Sequence, residues 1–219
     1  MVDKAVDYLS ILFVLTNFAL LASSRLGMCI RAVTLQGVIL AIIPVFREWE
    51  HLQAASFILC CVTLAVKGWA FPRLLTTAIA RAQIRREVEP LVGYNVSLLC
   101  GVAMLVFGFW LQTRIPIPHS GHGLLLPAAF FAILAGLFIT IARRKAITQI
   151  LGYLVLENGI FAFGAAALST HPWMLEMGIL LDVFVAVFIM GVALLHINRE
   201  FEHMDADRLA SLRDPVGEA

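Results

Sequence analysis

Residues 146–168 read AITQILGYLVLENGIFAFGAAAL, an apolar run with Glu157 in its middle. About 20 mostly apolar residues are enough to cross a bilayer as one helix, and this run is that long. A carboxylate at its centre has no place in a water-soluble reading. A charge near the bilayer centre costs about 3 kcal/mol on insertion scales, so such groups face a bundle interior and mark ion or proton paths. Two more ionisable residues stand in apolar runs, Asp182 in the next one and Lys67 in an earlier one. Three such groups point to charge translocation.

The composition agrees. Of 219 residues, 61% are hydrophobic and 14% charged, against roughly 25% charged in a soluble domain, and the mean hydropathy is +0.90. The expected class is all-α, a polytopic membrane protein. A net charge of +1 supplies no basic field for nucleic acid, which is excluded as a partner. Cys29, Cys60, Cys61 and Cys100 lie in or beside apolar runs without the paired spacing of a zinc or cluster site, so they read as structural thiols. His119 and His122 share a proline-containing turn without a third ligand. No metal or cofactor is expected.

Seven candidate spans follow, at about 8–24, 29–46, 52–71, 91–111, 123–142, 146–169 and 174–197. The first is preceded by Asp3, Lys4 and Asp7, lacks a small-residue cleavage pattern and reads as a retained helix. Twelve basic residues fall on one side of this arrangement, and on the other stand Lys4, Arg47 and Arg114. Such asymmetry predicts an external N-terminus and a cytoplasmic C-terminus. The organisation expected is a three-helix half with a connector over 1–90, a fourth helix and external loop over 91–122, a second three-helix half over 123–197, and a cytoplasmic tail over 198–219. The basic stretch 73–90 fits either an interfacial helix or an extension of the third helix into water. Arg31-Ala-Val-Thr34 echoes Lys145-Ala-Ile-Thr148, an offset that lays the first three helices over the last three and that chance explains equally well.

Glu157 lies about 18 Å along the sixth helix from Lys145, close to mid-bilayer. It reads as a protonatable relay group, against a hydrogen-bonded structural acid paired with Asn158 or with another helix. Asp182 follows Glu176 by six residues, so the two are turned about 120° apart and do not share a face. Glu176 reads equally as a relay member or an interfacial residue. Lys67 is four or five residues from the expected cytoplasmic end of its helix, where the alternatives are a buried partner of a carboxylate and a snorkelling surface lysine. Gln36, Asn158, Gln149 and His196 are supporting polar residues, able to hydrogen-bond between helices or to hold water.

The stretch from Arg144 to Gly159, with its Gly152-Tyr153 and Glu157-Asn158-Gly159, is followed by Glu176-Met-Gly178-Ile-Leu-Leu-Asp182-Val-Phe-Val-Ala186-Val. This GYxxxENG core and ExGIxxDxxxAV continuation resemble component E of hydrogenase-4 and of related formate hydrogenlyase complexes. Gln36, Lys67 with Pro72 five residues on, and the short tail with Leu209 and Leu212 are similar too, so the resemblance covers most of the chain. It implies a membrane-arm subunit, non-catalytic by itself, in a bacterial or archaeal cytoplasmic membrane. Its last three helices would be related to the K subunit of respiratory complex I. Its partners would be antiporter-like membrane subunits and hydrogenase-type membrane anchor subunits, coupling a redox reaction to proton or sodium movement. The resemblance implies that Glu157 and Asp182 stand in for the K subunit's two membrane glutamates. The pattern departs from the K subunit in one respect, for Glu157 lies about one turn further along its helix.

Overall fold

The structure is a computed structural model, and it describes residues 2–47, 54–82, 92–114, 123–143 and 146–167. The described residues are helical throughout apart from short connections. The helices are α1 (Val2–Ala22), α2 (Leu26–Arg47), α3 (Ala54–Thr63), α4 (Phe71–Ala82), α5 (Tyr94–Arg114), α6 (Leu125–Ala142) and α7 (Ala146–Ala167), with a π-helical segment (Leu64–Ala70) joining α3 to α4. Five helices, α1, α2, α5, α6 and α7, are long and apolar enough to cross a membrane. In hydrocarbon every backbone N–H and C=O must find its partner within the segment, and continuous helix is the simplest way to satisfy this. The expected seventh span at 174–197 lies outside the described residues.

The third span differs from expectation. It does not end near residue 71 but runs on without a break through α4, so the part of the basic stretch that is described continues the third helix. The π-helical segment explains how helix passes through a proline. Pro72 has no N–H, and in a regular helix its ring would press on the carbonyl four residues back. Just before it, the Phe71 N–H reaches Val66 O, five residues back, which widens the turn where that carbonyl lies. The same widening turns Lys67 away from the face that a regular period would give it.

Two sets of contacts fix how the helices alternate. At one end, the Leu124 N–H donates to Asp7 Oδ1 at 3.0 Å and Gln112 Nε2 donates to Gly123 O at 3.2 Å. The starts of α1 and α6 and the end of α5 therefore share a level. Asp7, expected to precede the first span, lies inside α1, and its carboxylate meets the positive end of α6. At the other end, Arg143 Nη2 donates to Leu21 O at 3.3 Å while its guanidinium sits 4.6 Å from the centre of the Tyr94 ring. Arg143, counted in the sequence as a flanking charge, is buried there and satisfies a carbonyl that the end of α1 leaves open.

The core divides into two apolar clusters. One, on the Arg143 side, contains Leu20, Val33, Phe71, Leu75, Leu154 and Val155. The other, on the Asp7 side, contains Phe13, Ile39, Leu40, Ala129, Ala162 and Ala166. Between them in α1, α2 and α7 fall the buried polar residues Asn17, Gln36, Glu157 and Asn158, and Lys67 reaches the same layer from the π-helical segment.

Candidate functional site

Helical geometry brings this polar layer together. Gln36 lies ten residues into α2 and Glu157 eleven into α7, so at 1.5 Å per residue both sit about 15–17 Å from the same end of the bundle. Around α7, Gly152 and Gly159 share one side, and at about 100° per residue Glu157, Asn158 and Phe161 fall on the opposite side. The glycine side packs on α6, and the other side meets α2 and the π-helical segment.

The centre is an ion pair. Lys67 Nζ donates to Glu157 Oε1 at 2.6 Å and to Asn158 Oδ1 at 2.9 Å. Asn158 Nδ2 in turn donates to Gln36 Oε1 at 3.3 Å. Lys67 is 6% exposed, Glu157 3% and Gln36 0%. The Phe161 ring lies 5.7 Å from the ammonium, its face adding a weak attraction for the cation. Three separate helical elements thus contribute to one hydrogen-bonded chain. Snorkelling of Lys67 is excluded, since its ammonium ends on a carboxylate inside the bundle.

Close approach makes the pair possible. A Cβ placed on Gly37 would fall 2.6 Å from Lys67 Cβ, so any larger residue there would push the lysine stem off α2. A cavity of about 10 Å³ is lined in part by Thr34, Lys67, Pro72, Leu75 and Asn158, room for about one water. Asn17 Oδ1 and Gln36 Nε2 are buried without a hydrogen-bond partner among the described residues. A buried orphan amide atom costs free energy, which makes both positions natural contacts for water.

Of the residues singled out in the sequence, Glu157, Lys67, Asn158 and Gln36 meet in this one cluster. Gln149 does not join it; Gln149 is exposed, and its Nε2 donates to Arg143 O at 3.0 Å near the start of α7. Asp182, Glu176 and His196 lie outside the described residues, as do His119 and His122. Sequence reasoning missed Gly37, Phe161 and the cap formed by Asp7. Pro72 was the available signal for the π turn, because a proline four residues after Gly68 disfavours regular helix there.

These features define a class, a polytopic helical membrane protein with a buried lysine–glutamate pair at mid-depth. The chain is a distant relative of hydrogenase-4 component E. It is 32% identical to the uncharacterized protein Rv0085 of Mycobacterium tuberculosis over 213 residues, 95% of this chain and 96% of that one. It is 26% identical over 178 residues to hydrogenase-4 component E of Escherichia coli and of Shigella flexneri, covering 80% of this chain and 82% of each of those. No family model matches the chain, and no solved structure matches it.

Proposed function

We propose that the chain is a membrane-arm subunit of a multisubunit, hydrogenase-type complex related to respiratory complex I. In this reading the Lys67 and Glu157 pair is the charged centre of a proton path coupled to a redox reaction in other subunits. The observation that carries it is the pair itself. Burying two charges costs several kcal/mol per ion before their attraction repays it, and well-packed apolar residues in their place are often as stable. Likeness to hydrogenase-4 component E supplies the class of assembly, with antiporter-like and hydrogenase-type anchor subunits as partners.

In chemical terms, Glu157 is the acid that gains and loses the proton, and Lys67 is the counter-charge that shifts with it. A proton passing from Lys67 Nζ to Glu157 Oε1 turns a charge pair into two neutral groups, still held by the same hydrogen bond. Asn158 keeps the lysine in reach in either state by accepting a second hydrogen bond. The apolar clusters on both sides keep the layer from short-circuiting to water. Asp182 and Glu176 on a seventh span would continue the path towards the external side, with the N-terminus outside and the C-terminus in the cytoplasm.

The test is Glu157→Gln in the intact complex, which keeps shape and hydrogen bonding but removes titration. Co-purification of the partners and redox turnover should persist while proton uptake into inverted vesicles falls to background. Full coupled uptake in that variant would leave the pair as a structural pin and the subunit as a scaffold between the antiporter-like subunits and the redox module. That second reading draws on the way Gly37 locks the lysine against α2.

A further inference from the structure

The geometry points to Lys67 as the residue that sets ion specificity. We propose that its tethered ammonium occupies the position a sodium ion would take at Glu157, so that this site exchanges protons and rejects sodium. The inference rests on the proposed role of Glu157 in ion movement and adds the identity of the ion.

A sodium ion in a dry site needs several oxygen atoms at once to replace its hydration shell. Among the described residues, Glu157 Oε1 and Asn158 Oδ1 converge on one position, and Lys67 Nζ occupies it at 2.6 and 2.9 Å. The neighbouring Gln36 Oε1 accepts the Asn158 Nδ2 hydrogen. A cation is therefore present, and it is covalently attached to the bundle. Its stem is confined on one side, because Lys67 Cβ lies against α2 at Gly37, where a side chain would collide with it. The cavity lined by Lys67 and Asn158, about 10 Å³, has room for about one water. No three histidine, cysteine, aspartate or glutamate residues converge among the described residues to bind a cation by another route. A second positive charge entering this low-dielectric layer would meet the repulsion of the first, whereas a proton adds to the existing hydrogen bonds without needing new space.

Sodium binding to the purified intact complex, read with radioactive sodium at constant ionic strength, tests this in four forms: wild type, Glu157→Gln, Lys67→Ala and the double variant. Wild type and Glu157→Gln should bind sodium alike. Removing the ammonium should leave carboxylate and amide oxygens around a vacated space, so Lys67→Ala should gain sodium affinity by about tenfold or more, and the double variant should lose that gain. Sodium binding in wild type that falls in Glu157→Gln would overturn the proposal, as would an assembled Lys67→Ala complex without the gain. Should Lys67→Ala fail to assemble, the comparison of wild type with Glu157→Gln decides alone. Absence of coupled proton uptake in wild type, with the sodium results as expected, would remove the proposed function and leave the specificity of the site standing.

Discussion

The two sides of α7 hold their neighbours by unlike means. Towards α6, added Cβ atoms at Gly152 and Gly159 would fall 2.6 Å from Thr140 Oγ1 and from Ile133 N, and one at Gly136 would collide with the Leu156 backbone. The two backbones meet directly there, and Ala132, Gly136 and Thr140 at spacings of four form the facing small-residue stripe. Towards α2 and the π-helical segment, the contact is instead an ion pair and two amides. Lipid tails are as apolar as leucine, so helices in a membrane gain little from hydrophobic burial and associate through close packing or polar bonds. The glycine side does this at no electrostatic cost. The polar side costs desolvation, so its presence argues for a task beyond adhesion.

The glycine side should break first. Gly136→Leu forces α6 and α7 apart along their whole contact, an overpacking cost above about 3 kcal/mol, and the expected outcome is loss of folded subunit and of assembled complex, read by co-purification. Normal assembly in that variant would mean that the seam is looser than its backbone contacts indicate.

The polar side should behave differently on single and double substitution. Lys67→Met strands the Glu157 charge and should cost about 3–5 kcal/mol, whereas Lys67→Met with Glu157→Met should return stability close to wild type. Thermal unfolding of the complex reads both. Coupled proton uptake should be absent in the single and the double variant alike. A double variant as unstable as the single would turn the pair into an adhesive element like the glycine seam.

Two smaller changes probe the ends of the bundle. Asp7→Ala removes the acceptor for the Leu124 N–H and should cost about 1 kcal/mol, with ion coupling unchanged. Gln149→Ala, on an exposed residue away from the ion pair, should change stability by less than about 0.5 kcal/mol and leave coupling intact. A coupling defect in Gln149→Ala would extend the path towards the Arg143 end of α7.

Much of this was legible in the residues, and the exceptions have physical reasons. The transmembrane helices follow from apolar runs, because length and hydropathy alone decide whether a segment can cross. Glu157 stood out because an acid in such a run is costly wherever it points. Gln36 was legible only as a supporting polar residue, and its depth beside Glu157 follows from the observed helix bounds. The face of Lys67 was not readable, since the π turn before Pro72 breaks the 3.6-residue period on which any face assignment rests. Gln149 has the composition of a member of the polar layer, yet it sits at the start of its helix and turns outward, a difference that no composition records.

The sequence by itself determined that the chain is helical and crosses a membrane, that it carries ionisable groups at depth, and that it resembles hydrogenase-4 component E, because each of these depends on residue type and linear spacing. Only the tertiary structure decided that Lys67 reaches Glu157 and Asn158 across 90 and 91 residues of chain, and that Gln36 closes the same network. Those contacts depend on which helices pack together and on how a widened turn and a bare glycine aim one lysine, and neither is written in any local run of residues.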